Sequence, residues 1–207
     1  IKQQTSKPVI GIGHSLGGVL SFIAAVEEPS LFKALVLLDS PIMSRLKSNV
    51  LRLSKTLGMI DHITPAFRTR GRRQFWDTKE EALNYLHRRS LFKNFTHACL
   101  QDYIEYGMKK TEKGYSLRFD PKIEYEIYRT IPHVLHENEG RLRVPTALIH
   151  GSRSNIIDSL DLRYMQKQHG VLTYEIQGTH MFPFEVPDET ARFIFKALES
   201  VSALNLM

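Results

Sequence analysis

Gly13-His14-Ser15-Leu16-Gly17 sets a serine between two glycines at a spacing suited to nucleophilic chemistry. Gly-x-Ser-x-Gly is the pattern of a nucleophile elbow, a sharp turn from a strand into a helix. The turn demands small residues. A side chain at position 13 or 17 is expected to collide with the neighbouring strand or helix, and glycine removes the Cβ. Ser15 itself is expected in a strained backbone conformation. Its hydroxyl would stand at the carboxyl end of a sheet, beside a helix N-terminus, where the Leu16 N–H can donate to an oxyanion. A serine so placed forms an acyl intermediate once a base takes its proton. A neutral imidazole is the natural base, since it can accept that proton and return it to the leaving group.

The flanking elements must hold that turn. Pro8-Val9-Ile10-Gly11-Ile12 is a short apolar run, as a buried parallel strand requires. After the elbow, Val19, Leu20, Phe22, Ile23 and Ala24 recur at helical spacing to about Glu28, and Pro29 stops the helix. Ala34-Leu35-Val36-Leu37-Leu38 is a second buried strand, closed by Asp39-Ser40-Pro41. Strand, helix and strand form a βαβ unit of a parallel sheet. The C-terminal stretch repeats this logic: a strand over 144–151, a helix from Ser159 to His169, a strand over 171–176, the loop Gly178-Thr179-His180, and a last helix opening at Asp188-Glu189-Thr190.

Residues 42–143 differ. Amphipathic helices are expected over 79–92, 95–108 and 123–128, with a strand-like turn at 114–118. The organisation is therefore core over 1–41, a mostly helical insertion over 42–143, and core again over 144–207. The insertion holds 20 Lys and Arg against 12 Asp and Glu, within a whole-chain net charge of +6. Its densest part, Arg68, Arg70, Arg72 and Arg73, reads as a solvated face or as a patch for an anionic substrate or an acidic carrier. Phe75, Trp76, Phe92, Phe95 and Tyr103 read as its core, or in part as an acyl pocket. No nucleic-acid motif is present, so no nucleic-acid partner is expected. There is no apolar run of membrane-spanning length, so no membrane partner is expected, and Ile1-Lys2-Gln3-Gln4 carries no signal-peptide core. The lone Cys99 reads as a buried helix residue, and one cysteine fits a reducing cytoplasm. His133, His136 and Glu137 lack a further ligand and HExxH is absent, so neither a metal nor a cofactor is expected.

The run Val9–Gly18, with Leu35-Val36-Leu37-Leu38-Asp39, the late strand into Gly151, and the Gly178–Pro187 segment, resembles the α/β-hydrolase superfamily. The resemblance covers residues 8–41 and 144–200. It implies an α/β fold with a mostly parallel sheet and an inserted helical lid. The family's earlier strands, and the loop giving the second oxyanion N–H, are absent from these 207 residues, which therefore read as a fragment. The family order of nucleophile, acid and histidine implies Ser15, an Asp and His180. Most members place the acid after the late strand, where Gly151-Ser152-Arg153-Ser154 offers only Ser154. Other branches place it after the strand following the elbow, where Asp39 stands. Asp39 is preferred, Asp158 is next, and a Ser15–His180 dyad is a third arrangement. Asp39 could instead cap the Ser40-Pro41 turn. His14 is expected to line the substrate pocket with its side chain turned from Ser15, and His150 is expected to pack. The implied chemistry is hydrolysis of a small or medium carboxylic ester or thioester through a Ser15 acyl-enzyme. C–C bond hydrolysis, perhydrolysis, or a non-catalytic binding protein on the same scaffold remain alternatives.

Overall fold

A computed structural model describes residues 1–64, 69 and 71–204. The chain divides into two compact units, residues 1–48 with 134–207, and residues 49–133.

The first unit opens with β1 (Val9–His14), α1 (Leu16–Glu27) and β2 (Phe32–Leu38). Pro29 stops α1 and begins a single 3-10 turn. α2 (Arg45–Thr56), a helix the sequence reading did not anticipate, begins in the first unit and runs on into the second.

The second unit continues with α3 (Ile60–Ile63), β3 (Phe75–Trp76), α4 (Lys79–His87) and α5 (His97–Gly107). Then come β4 (Met108–Thr111), β5 (Gly114–Leu117) and α6 (Pro121–Thr130). Thr78, Thr96 and Asp120 cap α4, α5 and α6, each accepting a backbone N–H of the first turn. α4 stops at His87, short of the expected end at Phe92. The chain turns there, and Phe92 packs 5.1 Å from Phe95 and 5.0 Å from Tyr103, centroid to centroid. Burying that aromatic cluster outweighs continued helix propensity. Phe95 and Met108 lie outside α5, and Met108 starts a strand instead. β3, β5 and β4 form an antiparallel sheet in that order, where the sequence showed only a strand-like turn. Cys99 lies in the first turn of α5 and is half-buried rather than buried.

The first unit resumes with β6 (Thr146–Gly151), α7 (Ser159–His169), β7 (Leu172–Ile176), α8 (Phe182–Glu185) and α9 (Pro187–Leu204). Its sheet is wholly parallel in the order β1-β2-β6-β7. Strand alternation sorts the core onto two faces. Leu35, Leu37 and Leu148 pack with Val19, Phe22 and Met165. Val36, Ala147 and Ile149 pack with Phe182, Ala197 and Val201 on the other side. Helices thus cover both faces of β2 and β6, which is why those strands read as unbroken apolar runs. β1 departs from that expectation. It is an edge strand of this sheet, and Ile10 and Ile12 are each about half exposed. Among the described residues, no helix is long and apolar enough to cross a membrane.

Candidate active site

The carboxyl ends of β1, β2 and β6, and the loop after β7, bring the candidate residues together within the first unit. Parallel register does most of this: His14 pairs with Leu38 and Leu38 with Ile149. The residues leaving those ends are tied by backbone bonds, Ser15 N–H to Leu38 O at 2.8 Å and Asp39 N–H to Ile149 O at 2.8 Å.

Ser15 has φ 53° and ψ −123°, a positive-φ conformation that a non-glycine residue adopts at a cost of about 1–3 kcal/mol. Neighbouring contacts hold it there. A Cβ on Gly13 would come within 2.5 Å of the Gly17 and Gly18 backbone, so Gly13 is sterically required. Gly17 differs from the expectation, since a Cβ there meets nothing within 4 Å. The second tight position is Gly18, where a Cβ would come within 2.0 Å of Ser40 Oγ and 2.7 Å of Gly13 O. The buried Ser40 hydroxyl donates toward Gly13 O at 3.3 Å and Leu38 O at 3.1 Å, pinning the turn to β2. Leu16 begins α1, so its N–H has no intrahelical acceptor.

His180 lies between Ser15 and Asp39. The Ser15 Oγ–His180 Nε2 separation is 3.1 Å, and that of His180 Nδ1 from Asp39 Oδ2 is 2.7 Å. With the proton on Nδ1 donated to Asp39, Nε2 is free to accept from the serine. Asp39 is fully buried and also has positive φ, at 45°. Its Oδ1 accepts the Gly151 N–H at 3.0 Å, and its Oδ2 accepts the Ser154 hydroxyl at 2.5 Å. Burial pushes the carboxyl up. The hydrogen bonds from His180, Ser154 and Gly151 outweigh that and hold it below its ordinary value. The carboxylate therefore spends its bonds on the β6 loop and His180, not on capping the Ser40-Pro41 turn.

Asp158 is occupied elsewhere. It caps α7, accepting from the Leu160 and Asp161 N–H groups, and Lys47 donates to it at 2.7 Å. Ser154, the neutral residue at the alternative acid position, is the donor noted above, and its Oγ accepts the Ile156 N–H at 3.2 Å.

His14 lies beside His180. Its Nε2 donates to the His180 carbonyl at 2.8 Å, and the two rings sit 4.7 Å apart. Burial holds its imidazole below the ordinary value, so it is neutral near pH 7. That contact ties the elbow to the histidine loop. A second tie holds the loop from behind: Thr179 donates through its N–H and hydroxyl to Glu185, at 2.8 and 2.5 Å. Sequence reasoning missed Ser40, the donor role of Ser154, and the Thr179–Glu185 pair. The one local signal was the Thr-x-x-x-x-x-Glu spacing across a Pro-containing turn. Among the described residues, no three His, Cys, Asp or Glu side chains gather as a metal site would need. His133 instead approaches Lys55 Nζ at 3.4 Å.

Comparison with known proteins places this geometry in context. The chain is similar to the crystal structure of E-2-(acetamidomethylene)succinate hydrolase, with TM-score 0.73 and 17% identity over 96% of this chain and 69% of the other. It is similar to a peroxisomal alpha-beta-hydrolase of Saccharomyces cerevisiae, with TM-score 0.70 and 22% identity over 93% of this chain and 53% of the other. It is also similar to a thioesterase domain from the curacin biosynthetic pathway, with TM-score 0.66 and 17% identity over 94% of this chain and 67% of the other. The chain thus spans about half to seven tenths of these structures. At such identities the likeness concerns the fold. No curated protein sequence matches. A family model described as "Alpha/beta hydrolase family" matches residues 1–193, and the chain belongs to that family.

Proposed function

We propose that the protein containing this chain is a serine hydrolase that cleaves a small or medium carboxylic ester or thioester through an acyl-enzyme on Ser15. The observation that carries this reading is the hydrogen-bonded series from Ser15 through His180 to the buried Asp39, at 3.1 and 2.7 Å.

Ser15 Oγ attacks the acyl carbon while its proton passes to His180 Nε2. The carbonyl oxygen becomes an oxyanion, and the Leu16 N–H at the start of α1 donates to it. Asp39 holds the imidazole in the Nδ1–H tautomer and stabilises the imidazolium. The intermediate collapses, the acyl–oxygen or acyl–sulfur bond breaks, and the leaving alcohol or thiol takes the proton from Nε2. Water then repeats the sequence in reverse and frees the acid and Ser15. His14, neutral and bonded to the His180 carbonyl, keeps the histidine loop against the elbow. We assign residues 49–133 a part in substrate choice, and the single Cys99 favours a reducing cytoplasm.

A fluorophosphonate probe followed by mass spectrometry tests the reading. Labelling at Ser15 that disappears in Ser15→Ala and falls sharply in Asp39→Asn is the expected result. A folded protein that takes no label would sink the hydrolase reading and leave a binding protein on the same scaffold.

A further inference from the structure

The second unit holds a cavity of about 320 Å³ whose lining includes Arg72, Arg73, Trp76, Tyr85, Arg89 and Phe92. That volume is at the small end of ligand pockets. Trp76 and Phe92 are buried, whereas Arg73 and Arg89 are exposed, so the cavity combines an apolar wall with a basic rim. Trp76 is 1% exposed, and its indole N–H has no acceptor among the described residues.

The rim cations are not equivalent. Arg72 donates to Glu124 at 2.7 Å, and Arg73 donates to Glu81 at 2.5 Å and to Phe75 O at 2.8 Å. Arg89 has no acidic partner among the described residues. Its guanidinium lies 4.0 Å from the Tyr85 ring centroid. Trp76 meets Tyr85 edge-on at 5.7 Å. A guanidinium stacked on an aromatic face keeps its N–H edge open, in the fork geometry that suits a carboxylate.

We propose that this cavity binds a small organic carboxylate with a flat apolar body, the carboxylate on Arg89 and the body alongside the part-exposed rings of Tyr85 and Tyr103 that line the same cavity. A neutral ligand would gain nothing from the Arg89 fork, and a bare inorganic anion would gain nothing from the Tyr85 and Tyr103 rings. Arg72 and Arg73, from the basic run in the sequence, are already paired, which leaves little net charge there for an acidic carrier. Arg68 and Arg70 lie outside the described residues. The inference does not depend on the serine reading, since none of Ser15, His180 and Asp39 lines the cavity.

Trp76 is the one tryptophan of the chain, so its emission reports on the cavity directly. Titration with benzoate should change that emission saturably, whereas benzamide, its neutral isostere, should not. Arg89→Gln should raise the benzoate Kd at least tenfold, and Arg89→Lys, which keeps charge without the fork, should raise it less. Arg89 is exposed, so both variants are expected to fold. No saturable change, an unaltered Kd in Arg89→Gln, or an equal response to benzamide would overturn the proposal. Inorganic phosphate binding as tightly as benzoate would overturn the organic-carboxylate assignment.

Discussion

β2 and β6 are neighbouring parallel strands whose following loops supply opposite halves of one interaction. The β2 loop brings a charge, the fully buried Asp39 carboxylate. The end of β6 and the loop after it bring only donors, the Gly151 N–H at 3.0 Å and the Ser154 hydroxyl at 2.5 Å. Register explains why they meet, since Leu38 pairs with Ile149 and both chains leave the sheet at the same level. The difference teaches that a carboxylate carried after one strand can be served by donors from its neighbour. Whichever loop lacks the carboxylate must still supply hydrogen bonds, because a buried charge without them is strongly unfavourable.

Removing the charge is expected to do most damage. Asp39→Asn keeps the shape but disfavours the Nδ1–H tautomer, and ester turnover should fall on the order of 10³–10⁴-fold. A loss under tenfold, measured as kcat/KM on an activated ester, would break the comparison. Exchanging the halves sharpens it. Asp39→Ser combined with Ser154→Asp returns a carboxylate to the same pair of positions. That double variant should exceed Asp39→Ser alone by about tenfold, equivalent to about 1.4 kcal/mol of barrier. Equal activities would mean that the backbone at Asp39, with φ 45°, is needed to aim the group. Removing one donor should matter less. Ser154→Ala should lower kcat/KM by about tenfold at most, because Gly151 and His180 still bond Asp39.

This pairing also marks how far the sequence could be read. The elbow, both strands of the first βαβ unit and the histidine loop were legible because each rests on local pattern: glycine spacing, apolar runs and a Gly-x-His loop. Asp39 was legible as a candidate through the family resemblance, some branches of which place the acid after the strand following the elbow. Ser154 looked like a lost acid, and only the pairing of β2 with β6 reveals it as a donor. The same holds for Gly18, whose need for glycine comes from Ser40, twenty-two residues on. The second unit was less legible. Its sheet joins a two-residue strand at Phe75–Trp76 to a distant hairpin, and pairing across forty residues leaves little trace in local periodicity. Phe92 carried a helical pattern, yet the aromatic contacts with Phe95 and Tyr103 bend the chain away.

The smallest expected effect is on stability, and it separates charge from packing. Asp39 titrates below its ordinary value of 3.8 in the folded protein: burial acts upward, and the bonds from His180, Ser154 and Gly151 prevail. A carboxyl so lowered contributes stability that is whole above its unfolded pKa and fades as pH falls through its folded one. Ser154→Ala removes one of those bonds and raises the folded pKa toward 3.8, so the contribution shrinks. The variant should be less stable at pH 7 by on the order of 1 kcal/mol. The gap should narrow as pH falls below 3.8 and through the lower folded-state values, where Asp39 becomes protonated in the folded proteins as well as in their unfolded chains. Urea unfolding of both proteins from pH 7 to pH 3 measures this. Converging curves mean that the Ser154 hydroxyl acts on the Asp39 charge. A constant gap would mean that it only fills space, and the β6 loop would then owe its half of the interaction to the Gly151 N–H alone.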